Sequence, residues 1–146
     1  MADTGKIVSW SEEETLDLGR RIGEVCSGAE LIGLIGPLGA GKSVLARGIA
    51  RGIGIDGPVR SPSFNLMREY KGRIILRHWD LYRLEGGFDT LGLLESIDDS
   101  ASVVVEWADR WSGLKNHLTG TIYMQFGNTE TERIITLAGE IPGATK

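Results

Sequence analysis

Apolar positions along this chain fall into short blocks separated by glycine-rich or charged breaks. Lys6 to Trp10 predicts a short edge strand. Ser11-Glu12-Glu13-Glu14 then sets a hydroxyl three residues before a carboxylate, the pair that caps a helix N-terminus reciprocally. Leu16, Ile22 and Val25 follow at roughly helical spacing, which predicts a helix ending near Gly28. Leu31 to Ile35 is a continuous apolar run between Glu30 and Gly36, as in a strand buried on both faces. A glycine-rich turn comes next, then a helix from about Lys42 to Gly54.

Residues 55–62 predict a loop. Phe64 to Tyr70 and Ile74 to Trp79 read as two strands joined at Lys71-Gly72-Arg73. Gly86-Gly87 marks another loop, and Phe88 to Ser96 predicts a short helix. Val103-Val104-Val105 is a second buried strand, closed by Glu106. After a polar stretch, Leu118 to Phe126 and Arg133 to Leu137 predict a closing antiparallel pair, and Pro142 to Lys146 is expected to fray. No repeat, linker or low-complexity segment interrupts this order, so the 146 residues are expected to form a single domain.

Composition narrows the class. With 41% hydrophobic and 25% charged residues, the balance is that of a water-soluble globular domain. No apolar run reaches the ~18 residues that span a membrane, so no membrane partner is expected. The opening MADTGKIVSW lacks a basic head and apolar stretch, so no secretory signal is expected either. Cys26 is the only cysteine, which excludes an internal disulfide, and with no Cys/His cluster a zinc site is not expected. Together these features predict a cytoplasmic protein. The 21 glycines predict many tight turns. Net charge is −4, yet residues 42–83 hold nine basic side chains against Asp56, Glu69 and Asp80. That basic middle suits phosphate ligands or an RNA-bearing partner, or forms an ordinary solvated surface.

The chemistry concentrates at residues 36–43, GPLGAGKS, which satisfy the phosphate-loop spacing with Gly36, Gly41, Lys42 and Ser43. Gly36, Gly39 and Gly41 let successive N–H groups turn inward around an anion, and the following helix aims its positive end at the same point. Lys42 would reach the β- and γ-phosphates, and the Ser43 hydroxyl would ligate magnesium. The expected nucleotide contact runs through Gly36, Leu38, Gly39, Ala40, Gly41, Lys42, Ser43 and Val44. An apolar strand before the motif and a helix after it are the context that the motif requires. Lys42 is expected to be exposed in an empty site.

A phosphate loop also needs a carboxylate near its cation. Glu106, which ends SVVVE, is the preferred metal ligand. Asp80, which ends IILRHWD, would orient the attacking water or hold the metal through water. Lys42, Asp80 and Glu106 are thus the candidate catalytic residues. Ser63, in Ser61-Pro62-Ser63-Phe64, could sense a γ-phosphate, but from the residues alone a turn serine is the better reading.

HWDLYR at residues 78–83 is similar to the His-x-Asp-Leu-Tyr-Arg motif of the TsaE (YjeE) family, bacterial ATPases of threonylcarbamoyladenosine synthesis on tRNA. ETLDLG at 14–19 resembles the family's opening helix. GPLGAGKS with ARGIARGIG resembles its phosphate loop and helix, VRSPSFNLMREY its Ser-Pro-Thr-Phe switch segment, and VVVEWADR its Glu-Trp-Pro strand end. The resemblance covers about residues 8–137.

It implies an α/β single-domain P-loop NTPase fold, a mixed central β-sheet with helices on both sides. It implies ATP and magnesium as ligands, the TsaB–TsaD pair as protein partner, and tRNA as an indirect one. By motif match it implies nucleotide and metal roles for Lys42, Ser43, Ser63, Asp80 and Glu106, and a place for Trp107 beside the nucleotide, against its base. The basic residues Arg60, Arg68, Lys71, Arg73 and Arg77 would face the partner or its tRNA. Three positions depart from the pattern. Ser63 stands for the usual Thr, Pro37 for a common acid, and Ala108 for the proline after Glu-Trp. Two other readings share the cradle: a small-molecule P-loop kinase, and a nucleotide-gated binding module with negligible turnover.

Overall fold

The computed structural model describes residues 5–59, 67–82, 95 and 100–144. The described strands are β1 (Gly5–Ser9), β2 (Leu31–Ile35), β3 (Met67–Lys71), β4 (Ile75–Asp80), β5 (Ala101–Glu106), β6 (Gly120–Phe126) and β7 (Arg133–Gly139). The described α-helices are α1 (Glu12–Val25) and α2 (Lys42–Ile53), and the polar stretch after β5 forms two 3-10 helices, Ala108–Arg110 and Ser112–His117. The strands pair in the order β1-β7-β6-β2-β5-β4-β3. β2 runs parallel to β5 and β6, and β4 parallel to β5, while β1–β7, β6–β7 and β3–β4 are antiparallel. β2 and β5 lie centrally, covered on both faces, which is why their sequences are apolar without alternation.

Local chemistry sets the boundaries. Ser11 Oγ accepts from the Glu14 N–H at 3.1 Å, and Glu14 Oε1 accepts from the Trp10 N–H at 2.8 Å, one residue earlier than a capping box usually reaches. α2 ends on Gly54, whose N–H donates to the carbonyls of Ala50 and Arg51. The hairpin pairs Lys71 with Ile75, so its turn lies at Gly72-Arg73-Ile74. The predicted beginning of the first hairpin strand at Phe64 and the predicted helix from Phe88 lie outside the described residues, apart from Glu95.

Helices cover both faces of the sheet, as the resemblance implies, but they differ in kind. α1 and α2 lie on one face, where Leu18, Ile22, Leu45 and Ile49 pack against Ile32, Leu34, Val104 and Ile122. On the other face, among the described residues, the 3-10 helices bring Ala108 and Leu114 against Leu31, Val103 and Val105.

The glycines do more than make turns, which corrects the reading from composition. Gly19 and Gly23 of α1 face Gly48 and Gly52 of α2, and the two helices meet backbone to backbone. A Cβ on Gly48 would lie 2.3 Å from the Leu16 carbonyl oxygen, and one on Gly19 would lie 2.4 Å from that of Leu45. The expected fraying at Pro142 is also corrected as far as Ala144, which is only 3% exposed. Ile141 packs on the main core, and Gly143 lies so close to the Arg21 carbonyl of α1 that a Cβ there would sit at 2.4 Å. Apolar side chains and a close backbone approach hold this segment down.

The turn from α1 into β2 is organised by one carboxylate. Glu30 accepts from the N–H groups of Ser27, Gly28 and Ala29 and from the hydroxyls of Ser27 and Ser102. Burial alone would raise its pKa, but these donors outweigh it and hold the carboxyl down at about 2. Burial, aided by the Glu30 charge, pushes the Cys26 thiol up to about 12, so this cysteine is an inert core group.

Two predictions follow from this packing. Gly48→Ala should destabilise the protein by about 2–3 kcal/mol despite alanine's better helix propensity, because the methyl has only backbone to push against. Urea unfolding measures this, and an unchanged midpoint would show that the helices have room to part. Glu30 has a folded pKa below its unfolded value, so its stabilisation is present above about pH 4.5 and is lost as pH falls towards 2. Glu30→Gln should cost about 1–2 kcal/mol at neutral pH, allowing for its partial solvent access, and should flatten the acid limb of a stability–pH profile.

Candidate functional site

The site lies where β2, β4 and β5 end together. Leu34 pairs with Glu106, and Asp80 with Glu106, so both acids lie at the same edge of the sheet and on the α2 face. From β2 the chain enters the loop that leads to α2. Gly39 and Gly41 have φ of 81° and 106°, a region closed to most side chains, and Gly41 forms the N-cap of α2. No side chain caps α2 and its first turn holds no acid, so the positive end of the helix faces the cradle without a carboxylate of its own.

Lys42 is buried at 5% exposure, which corrects the expectation of an exposed lysine. Its ammonium donates to the carbonyls of Gly36 at 2.6 Å and Pro37 at 2.8 Å and lies 4.1 Å from the centroid of the Trp107 ring. These contacts replace the water that the ammonium gives up. Burial lowers its pKa, opposed by the charges of Glu106, Asp80 and Asp109.

Ser43 Oγ donates to Glu106, 3.2 Å from Oε1 and 3.4 Å from Oε2. Glu106 is 3% exposed, and its Oε2 lies 2.7 Å from Nε2 of His78, itself 2% exposed. Asp80 Oδ1 accepts from the Tyr82 N–H at 2.9 Å. Burial raises the Asp80 pKa and the Glu106 charge adds to this, while the Tyr82 N–H, His78 and Lys42 oppose it. Lys42, Ser43, Asp80 and Glu106 thus share one cavity of about 340 Å³ with Leu38, Gly39, Gly41, Val44, Tyr82 and Trp107. Ala40 is buried beneath the loop, so of the cradle residues its side chain faces the core.

Trp107 has φ 59° and ψ 42°, a left-handed conformation that costs a side-chain-bearing residue about 1–2 kcal/mol. It turns the chain sharply from β5 into the first 3-10 helix. The path beyond it, left open where Ala108 replaces proline, is that helix. The Trp107 ring packs against Tyr82 with centroids 4.9 Å apart and planes tilted by 41°, and the Arg110 guanidinium lies 5.4 Å from Tyr82 and 5.7 Å from Trp107.

A second cavity of about 250 Å³ borders Gly39, Gly41 and Val44 from the other side, between Ser11 and Thr15 of the α1 entry and Thr131 and Arg133 of the β6–β7 hairpin. Arg133 donates to the Gly39 carbonyl at 3.2 Å and stacks on Phe126 at 4.9 Å. Sequence reasoning missed these groups. The available signal was that β6, parallel to β2, brings the hairpin tip to the edge of the sheet that holds the cradle.

Ser63, Arg60 and Arg83 lie outside the described residues. The basic stretch proves partly structural. Arg73 donates to the carbonyls of Cys26, Gly23 and Glu24, supplying the positive charge that the last turn of α1 lacks. Arg77 pairs with Glu69 at 2.9 Å. Arg68 and Lys71 remain as exposed charges.

Among the described residues, no three His, Cys, Asp or Glu side chains form a protein-only metal cage. The donors at the cradle are a hydroxyl and carboxylates, hard oxygens that suit magnesium, which keeps several waters and binds through one or two carboxylates together with phosphates. The residues therefore fit that cation.

The family model described as threonylcarbamoyl adenosine biosynthesis protein TsaE matches residues 9–138. The chain belongs to the TsaE family. A relative named tRNA threonylcarbamoyladenosine biosynthesis protein TsaE, from Mycobacterium tuberculosis, is 43% identical over 108 residues, covering 66% of this chain and 64% of the relative. The chain thus spans less than two thirds of that relative's length. A protein of the same name from Treponema pallidum is 34% identical over 131 residues, covering 86% of this chain and 96% of its own. Among solved structures, Bacillus subtilis YdiB is similar at a TM-score of 0.78, with 28% identity, 95% of this chain and 87% of that one covered. No helix among the described residues of this TsaE-family chain is long and apolar enough to cross a membrane.

The Arg73 contacts generate a test of the basic stretch. Arg73→Ala should lower the melting temperature by several degrees, about 1–2 kcal/mol, because it strips charge-assisted bonds from three carbonyls at the end of α1. Lys71→Ala, at an exposed charge, should change it little. Thermal melts of the two variants compare them.

Proposed function

We propose that this chain is a magnesium-dependent ATPase of tRNA threonylcarbamoyladenosine synthesis, acting with the TsaB–TsaD pair that its family resemblance implies. The observation that carries the reading is the convergence of Lys42 and Ser43, at the start of α2, on Glu106 and Asp80, at the register-matched ends of two parallel strands. The names of its relatives supply the pathway.

In this reading the triphosphate lies in the cavity beneath Trp107, and the ribose and base lie in the cavity bordered by Ser11, Thr15 and Arg133. Lys42 exchanges the Gly36 and Pro37 carbonyls for phosphate oxygens without leaving its buried position. α2 adds the positive end of its dipole. Ser43 and Glu106 hold the cation, and magnesium, when bound, neutralises charge that develops on the phosphates. Asp80, held by the Tyr82 amide and with a raised pKa, orients the attacking water. No covalent intermediate is required, and positioning and electrostatics carry the acceleration. Ser63 would report the γ-phosphate to the partner. Its contacts lie outside the described residues.

The test is hydrolysis by purified protein, alone and with TsaB–TsaD. Lys42→Ala should lower turnover at least ~100-fold, the scale on which a preorganised charge acts in a transition state. Glu106→Gln should raise the magnesium requirement, whereas Asp80→Asn should lower turnover with nucleotide binding retained. Normal turnover by Lys42→Ala would sink the reading, and reversed behaviour of the two acid variants would exchange their roles. Nucleotide binding with no turnover under any of these conditions would leave the chain a nucleotide-gated binding module.

A further inference from the structure

Leu76, His78 and Asp80 of β4 share one face of the sheet, and the first and last of them suit their places. Leu76 lies in the core and Asp80 at the cavity rim. His78, in register with Val104, is a polar ring in an apolar position, only 2% exposed. Its Nδ1 is buried without a hydrogen-bond partner among the described residues. An aliphatic side chain would pack there without that cost, and a buried orphan nitrogen calls for a physical reason.

The reason lies at the other nitrogen. Nε2 is 2.7 Å from Glu106 Oε2. A carboxylate only accepts, so the proton is on Nε2 and the ring donates. Nδ1 is then the stranded atom. Among the described residues, the other side chain that hydrogen-bonds Glu106 is the Ser43 hydroxyl, at the longer distances of 3.2 and 3.4 Å. Without His78, nothing as short would stop the carboxylate from rotating about its last bond.

We propose that His78 is a positioning residue for Glu106. Its Nε2–H anchors Oε2, so that Oε1, the oxygen nearer Ser43, is the one presented with the Ser43 hydroxyl to a divalent cation. This rests on the reading of Glu106 as the cation's carboxylate and adds to it a single-oxygen mode of binding, set from behind by β4. Hydrogen-bond partners of ligating carboxylates commonly govern metal affinity in this way.

The experiment uses Mn²⁺ as the probe, with ADP, on the full chain. His78→Leu fills the space without a donor, and His78→Gln can return an N–H close to the position of Nε2. Mn²⁺ affinity of the protein–ADP complex is read by electron paramagnetic resonance, and ADP affinity is read separately in EDTA. His78→Leu should weaken Mn²⁺ by about 10–100-fold while metal-free ADP affinity stays within about twofold, and His78→Gln should recover most of the loss. A role in packing alone would lower the melting temperature of both variants without separating the two affinities. Unchanged Mn²⁺ affinity in His78→Leu overturns the proposal, as does a Gln variant no better than Leu. Glu106→Gln separates the two levels of the argument. If it leaves Mn²⁺ affinity intact, the reading of Glu106 fails. If it weakens Mn²⁺ and His78→Leu does not, only the role of His78 fails. Should His78→Leu not fold, imidazole ¹⁵N spectra of the unaltered protein decide, because the chain has only 2 histidines to assign. A proton on Nε2 is expected at His78, and a ring protonated at Nδ1 alone would overturn the assignment.

Discussion

The backbone contact between α1 and α2 is the constraint on which the site depends. Both helices lie on one face of the sheet, and α2 begins at the phosphate cradle. Four glycines let the helix axes approach until carbonyls meet Cα atoms. That distance fixes where α2 can rest on β2 and β5, and therefore where Ser43 stands relative to Glu106. α1 is fixed in turn by its Ser11 cap, by Arg73 at its C-terminal carbonyls and by the segment ending at Ala144. A helix that touches no phosphate thus helps set the geometry of one that does.

The cost of this arrangement is concentrated at the cradle. Lys42, Glu106 and His78 are all buried, and Trp107 holds a strained backbone. Each is offset locally: the ammonium by two carbonyls and a ring, the carboxylate by a hydroxyl and an imidazole, the strain by the tilted ring contact with Tyr82. Charges held this way need little rearrangement to meet a ligand, which is the condition for electrostatic catalysis in a dry site.

Much of the fold was legible because its signals are local. β2 is predicted with its observed ends, and α2 within a residue, since glycines and an apolar run bracket both. Glu106 could be read from its place after three β-branched residues. The unread features are long-range or lack a period. Nothing local marks Gly19 and Gly48 as facing one another. The 3-10 helices are too short to show a repeat. The burial of Lys42 follows from Trp107, which sits over it only because β5 ends beside β2. Arg133 and Phe126 reach the cradle through the register of β6 and β7, and His78 carries a meaning only once its neighbour across the sheet is known.

The strand order has a consequence for how the molecule is made. β1 pairs only with β7, and the central strand β2 has β6 as one of its two partners. Residues near the start of the sequence therefore wait for residues beyond 120 before their hydrogen bonds close. On a ribosome, α1, β2 and the cradle emerge well before the strands that complete the sheet around them. Contacts so distant along the sequence slow the search for the native arrangement. During translation the two helices can already meet through their glycines, but the β6 side of apolar β2 stays unpaired until the end of the chain emerges, an exposed strand edge of the kind that invites aggregation.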